Sequence, residues 1–288
     1  MREAPRRIWL CADDYGIAPG VNRAIRELIT RGRLNATSVM MPVRHIGGEE
    51  ADALETLNSG KTRAALGLHV TLTGRFAPLS DGFAPTRNGH FLTIGQMLRA
   101  AMAGRLNVER LVIEIATQME AFIAAFGRPP DFVDGHQHVQ ILPQVRRAFL
   151  QVVREAAPNA WVRQCGRAPS ALHLQGVKGL SIDVLNLGFR SAAERVGIAT
   201  NPAFAGVYDF GGKGDFAAIF PRFLTGLPDG GLIMCHPGFV DAELKAADKL
   251  TQPREREFAF FSSDAFPELL ARHGVALASP AGNGGKAA

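Results

Sequence analysis

ALGLHVTL, residues 65–72, is apolar almost throughout, which is the pattern of a parallel strand buried on both faces. One residue stands out in it: His69, near the end of the run. The same arrangement recurs on either side. RIWLCADD, residues 7–14, reads as a strand running into Asp13 and Asp14. Residues 19–31 then show helical periodicity, with Val21, Ile25, Leu28 and Ile29 on one face and Pro19 near the start. Residues 36–41 predict a second strand, ended by Pro42, and residues 47–57 a helix. Downstream, the pattern predicts a long amphipathic helix over 108–126, a strand over 132–138, a helix over 143–155 and a strand over 160–163. Residues 206–210, 231–235 and 274–278 read as further strands. Pro78, Asp81-Gly82, Pro85 and Asn88-Gly89 mark residues 74–106 as an irregular excursion, and residues 166–200 show no clear period.

This alternation predicts an α/β protein: a distorted, TIM-like (β/α) barrel of about seven or eight parallel strands. With no linker dividing the chain, residues 1–280 are expected to form one domain, followed by a flexible tail over 281–288. The polar residues of interest fall at the ends of apolar runs: Asp13 and Asp14, His69, then Asp134, His136 and His138, then Arg163, then His236. In such barrels the carboxyl ends of the strands form the active-site face, so positions far apart in the chain are expected to meet there.

Composition sets bounds on this reading. The 288 residues are 47% hydrophobic, enough for one large core. The net charge is +5, but Lys and Arg are dispersed, and Trp and Tyr number two each, which argues against nucleic-acid binding. Cys11, Cys165 and Cys235 are too few and too scattered for a disulfide framework or a zinc knuckle, which points to a reducing cytoplasm. No run reaches the ~20 apolar residues of a bilayer span, and the N-terminus lacks the apolar stretch of a signal peptide.

Each local cluster has two readings. Asp13-Asp14 offers one carboxylate for a metal and one free base, or simply complements the dipole of the next helix. His69 is a ligand or a hydrogen-bonded core histidine. In extended chain Asp134, His136 and His138 share one side, a costly grouping that a divalent cation would relieve; Asp134 binds it directly or orients a histidine, or the run is a polar loop. His236 before Pro237-Gly238 faces a cleft or an ordinary turn. His45, His90, His173 and His273 read as surface or loop residues, His90 alone lying in the excursion. The functional readings gain weight from occurring together at strand ends.

Several motifs, in order, resemble the YdjC-like or chitooligosaccharide deacetylase family: ADDYGIAPGVNRAI, NATSVMMP, LGLHVTLT, FGRPPDFVDGHQHVQILPQV and MCHPGFVDAEL. The resemblance implies one divalent cation (zinc or magnesium, with manganese or cobalt admissible) held by Asp14, His69 and His136. It makes Asp13 the catalytic base, His236 the candidate general acid and Arg163 the group that orients the base, and it places His138 and Asp134 toward substrate. Gln140 stands where the family commonly has a third histidine, which implies altered substrate contacts. Within the family, RNGHFLTIGQML and the VDGHQHVQILP block look most like the hopanoid-biosynthesis-associated HpnK subgroup. That implies removal of acetate from an N-acetylglucosaminyl hopanoid, a peripheral contact with membrane lipid, and an apolar cleft for which Phe76, Phe91, Leu92 and Phe204 are candidates. A homo-oligomer stays open. The competing readings are another metal hydrolase, acting on a phosphoester or cyclic amide, and a non-catalytic sugar- or lipid-binding protein.

Overall fold

The computed structural model describes residues 4–58, 63–174, 177–211 and 214–280, so the tail expected over 281–288 lies outside the described residues. The first apolar runs become β1 (Arg6–Tyr15), β2 (Ala36–Val39) and β3 (Ala65–Val70), and every residue of β2 and β3 is buried. The excursion carries a small antiparallel hairpin, β4 (Thr86–Arg87) and β5 (His90–Phe91). The sheet continues with β6 (Phe132–Gly135), β7 (Trp161–Val162), β8 (Phe204–Ala205) and β9 (Leu232–Cys235), and ends with β10 (Val275–Leu277).

The strand order is β7-β6-β3-β2-β1-β9-β8, parallel at every junction, with β10 parallel to the start of β1. The residues before β8 return to the opposite edge: Thr200 bridges Val162, and the Val162 amide donates to the Ala199 carbonyl. The sheet therefore curls round on itself as a distorted TIM-like barrel, with helices outside. Among these are α1 (Pro19–Thr30), α2 (Gly48–Asn58), α3 (Ile94–Met102), α4 (Val108–Phe126), α5 (Pro143–Ala156), α6 (Val177–Asn186) and α7 (Phe189–Arg195). Pro19 and Pro143 open α1 and α5, where a missing N–H costs nothing. Asn107 caps α4 through the Arg110 amide, and Gly127 ends it in the left-handed region that favours glycine.

Asn35 splices three strands. Its side chain accepts from the Leu10 amide of β1 and donates to the carbonyls of Ile8 and of Ala278, just beyond β10. It fills the gap where β1 exchanges β10 for β2 as its neighbour.

Three expectations need correction. The strand expected over 132–138 stops at Gly135; His136–Ile141 is a 3₁₀ turn in which Gln137 and His138 take left-handed φ of 54° and 61°. A strand over 206–210 is not formed, and β8 lies just ahead of it. The strand expected over 36–41 ends at Val39. The stretch over 166–200, which lacked a period, folds into α6, α7 and the 3₁₀ turn Pro169–Leu174.

Replacing Asn35 by Ala leaves the buried Leu10 amide without its partner and takes one bond from each of the Ile8 and Ala278 carbonyls, the first of which keeps the Ala278 amide, so it should lower unfolding stability by about 2 kcal/mol. Denaturant unfolding of Asn35→Ala against the parent measures this; a change within error would show that the splice is not stabilising.

Candidate metal centre and active site

The site is built from an irregularity at the end of β1. Ala12 pairs with Thr37 and Tyr15 with Val39, so β1 holds one residue more than β2 across this stretch. This bulge falls at Asp13 and Asp14, and Asp14 takes a φ of 67°. Adjacent residues of a regular strand point to opposite faces; a bulge re-aims one of them, so both carboxylates reach the barrel mouth. Left-handed backbone is uncommon outside glycine, and Asp is among the residues that tolerate it best.

Three donors converge above the bulge. One ligand atom from each of Asp14, His69 and His136 lies within 4.8 Å of the others, and all three residues are buried. Asp14 Oδ1 is 2.8 Å from His136 Nδ1 and 3.3 Å from His69 Nε2. The other Asp14 oxygen accepts from Arg254 at 2.6 Å. His69 is held from behind: its Nδ1 is 2.6 Å from Asp134 and 3.0 Å from the Ser38 hydroxyl. Sheet register dictates the first contact, because His69 and Asp134 are paired residues of neighbouring parallel strands. Fixing Nδ1 in this way leaves Nε2 to bind a cation.

Asp13 is the neighbouring carboxylate, gripped by both arms of Arg163 at 2.6 and 2.7 Å. The same guanidinium reaches Asp134 at 2.5 Å and the Cys11 sulfur at 3.0 Å, and it is fully buried. Burial alone would raise the Asp13 pKa, but Arg163 outweighs it and holds the carboxyl below the usual range. Asp14 is likewise held well below it, burial being overcome by His136 and Arg254. Burial lowers His69, yet Asp134 and Asp14 prevail and bring it up to about 10.

The donor set fits a divalent cation. Asp13, Asp14, Asp134 and Asp248 are four carboxylates against two guanidiniums, Arg163 and Arg254, joined in one network. With neutral histidines, two negative charges remain, the charge of a divalent ion. Without one, His69 makes up part of the deficit by holding a proton.

A cavity of about 440 Å³ opens over these groups. Asp13, Asp14, His69, His136, His138 and His236 line its polar end. Its other walls are largely apolar, with Ile94 and Leu98 from α3, Ile141, Leu142, Ile182 and Leu185 from α6, Phe210 and Leu250, interrupted by Gln137, Ser181 and Asp248. His236 follows β9; burial lowers it to about 4, and its Nδ1 has no hydrogen-bond partner among the described residues. Its backbone amide donates at 2.5 Å to Glu257, which also accepts from the Tyr208 hydroxyl at 2.6 Å.

The structure brings together Asp13, Asp14, His69, His136, His138, His236 and, behind them, Arg163. Asp134 is misplaced as a substrate contact: it is fully buried, with its oxygens on His69 and Arg163, and it supports the ligand set instead. Asp134, His136 and His138 do not share a side in extended chain; the left-handed turn redirects the histidines separately. His138 sits 3.6 Å from the Cys165 sulfur, and burial together with Arg163 lowers it to about 3. Gln140 does not face the cavity. It is buried, bonded to the Arg163 carbonyl and the Cys165 sulfur. The apolar wall is not made by Phe76, Phe91, Leu92 or Phe204: Phe76 stacks edge-on to His136 and Phe204 to His138. His90 is exposed on the hairpin, its ring bonded to Asn88. Sequence reading missed Ser38, Asp248, Arg254 and Glu257. Arg254 and Glu257 lie in a helix, Gln252–Ser262, whose charged stretch looks like a solvated face but is folded inward at these two positions.

Fold and site define an α/β barrel with a buried Asp-His-His set suited to a cation at the carboxyl ends of its strands. The chain belongs to the YdjC-like protein family, whose model matches residues 7–272. It is 29% identical to a chitooligosaccharide deacetylase of Escherichia fergusonii, over 95% of this chain and 98% of that one. It is 28% identical to a protein of the same name from Serratia marcescens, over 93% and 95%. A solved structure from Enterococcus faecalis V583, provisionally named a cellobiose-phosphate cleavage protein, shares the fold at a TM-score of 0.74 and 20% identity, covering 96% and 98% of the two chains.

Burial raises Glu257 to about 7. Between its ordinary range near 4.5 and 7 the folded protein binds the extra proton, so this group makes stability fall as pH rises through that window. Glu257→Gln should remove the loss. The melting temperature of the variant should therefore gain on the parent from pH 5 to pH 8; a constant difference would refute the assignment.

Proposed function

We propose that this protein is a divalent-cation-dependent hydrolase that removes the acetyl group from an N-acetylated amino sugar, and that the sugar is carried on a hopanoid-type lipid. The observation that carries the reaction is the convergence of Asp14, His69 and His136 on one point, with a second carboxylate, Asp13, beside it in the same cavity. The names of the curated relatives support a chitooligosaccharide-like, acetylated substrate. The lipid rests on the likeness of the RNGHFLTIGQML and VDGHQHVQILP segments to the HpnK subgroup, and the largely apolar walls of the cavity favour it.

Asp14, His69 and His136 would hold a divalent cation, which when bound would supply polarisation of a carbonyl and acidification of a water molecule. Asp13, held low by Arg163, is a weak base beside the triad and is the candidate proton acceptor. Arg163 fixes both carboxylate oxygens of Asp13 and so sets the direction of that transfer. Asp134 keeps His69 in one tautomer. His236 is the candidate proton donor to the departing amine. Burial lowers it to about 4, so its imidazolium is a strong acid that is scarcely populated at neutral pH and would need to gain its proton during turnover. His138 lines the cavity as a neutral side chain available to the sugar.

The cation is zinc or magnesium on donor chemistry, with manganese and cobalt compatible. We assign the protein to the cytoplasm as one domain over 1–280, with homo-oligomerisation open; no described helix is long and apolar enough to cross a membrane. A second reading, a deacetylase of free chitooligosaccharides, follows the relatives' names and is separated by mass spectrometry of both substrate classes after incubation with cation-loaded protein.

Asp13→Asn should keep the cation and lose turnover by about 10²–10⁴-fold, as measured by acetate release. His69→Ala should lose the cation, as measured by elemental analysis after gel filtration. Near-parental acetate release from Asp13→Asn would overturn the base assignment.

A further inference from the structure

Helix α6 presents apolar side chains in two directions. Ile182 and Leu185 line the catalytic cavity. Leu180 and Val184, each 57% exposed, and Leu187, just past the helix and 72% exposed, point to solvent. They are spaced by four and three residues, so they form one stripe. They are also three of the six large apolar side chains left exposed among the described residues. A ten-residue helix that, with the residue just past it, wets three such groups while its other side closes a cavity needs a cover for them.

The surroundings identify the cover. Arg146 of α5 donates to the carbonyls of Leu185 and Leu187, tying the stripe to a groove between α5 and α7. That groove is lined by Arg146, Arg147, Arg154 and Arg195, and by no carboxylate. Of the four, Arg154 alone has an ion-pair partner among the described residues, Glu155 at 3.8 Å. The nearby acids of α6 and α7 are already engaged, Asp183 by Arg167 and Glu194 by Arg190. The face therefore offers apolar groups beside uncompensated positive charge. A second copy of the chain docked face to face would set arginines against arginines. A bilayer carrying anionic headgroups satisfies both features, accepting the stripe at the acyl boundary and the arginines at the phosphates.

We propose that α6 and the α5–α7 groove form a docking surface for an anionic membrane, with the catalytic cavity opening beside the contact. A lipid-linked substrate would then pass from the bilayer along the apolar side of α6 into the cavity. The surface itself does not depend on the reaction proposed above.

The test is flotation of the full chain with vesicles of phosphatidylcholine alone and of phosphatidylcholine with 30 mol% phosphatidylglycerol. Binding to the anionic vesicles should exceed binding to neutral ones at least tenfold and fall as salt is raised. A Leu180→Ser/Val184→Ser/Leu187→Ser variant and an Arg147→Glu/Arg195→Glu variant should each lose at least tenfold, with unchanged far-UV dichroism and melting temperature. Both should keep parental acetate release from a soluble N-acetylated amino sugar. Equal binding to both vesicle types, no binding, or variants that bind like the parent would overturn the proposal. So would concentration-dependent self-association that the same variants abolish, which would give the face to a second copy. Vesicle binding is read without substrate, so its failure and failure of the deacetylase reading are separate results.

Discussion

A single buried guanidinium holds the interior of this barrel together. Arg163 leaves the end of β7 and meets Asp13 of β1 and Asp134 of β6 with no exposure to water. A charge so placed costs several kcal/mol to desolvate and is tolerated only when opposite charges offset it. The requirement runs both ways. Asp13 stays ionised because Arg163 is there, and Asp134 can hold His69 because its other oxygen is neutralised. Arg254 plays the same part for Asp14 from the far side, linking it to Asp248. The two arginines keep a dense group of carboxylates in place, and the candidate cation site is what remains between them.

Much of the fold was legible in the sequence because parallel strands buried on both faces are apolar runs. The runs around Leu10, Leu68 and Ile233 were found for that reason, and α1 and α5 were bounded by their opening prolines. What escaped was structure whose cause lies elsewhere in the chain. β8 is two residues long and exists because β9 and the Gly166 carbonyl supply its partners. Gln137 and His138 turn left-handed without glycine, so a period of two assigned them to a strand they leave. In the stretch over 166–200, α6 is apolar on two sides and so shows no amphipathic pattern.

The site divides along the same line. That Asp13, Asp14, His69, His136 and His236 meet at one cavity could be read because each is a polar residue interrupting or ending an apolar run. The supporting ring could not. Arg254 and Glu257 sit among other charges in a sequence that looks solvated, and nothing local distinguishes them from Arg256 or Glu255. Asp134 was legible as a site candidate but its place behind His69 was not, because that place follows from β3–β6 register. Likewise Phe204 was recognised near the site, yet it packs on His138 instead of lining the cavity.

The position of β1 has a consequence for synthesis on the ribosome. The strand emerges before its neighbours but sits at the centre of the sheet, and two of the three, β9 and β10, come from the last quarter of these 288 residues. Until those residues leave the exit tunnel, one full edge of a strand that is apolar along most of its length stays unpaired. Contacts of such long sequence separation form slowly, and an open edge of this kind invites pairing with other chains. The nascent polypeptide must therefore be sheltered, or its early segments kept loosely collapsed, until its final strand is released.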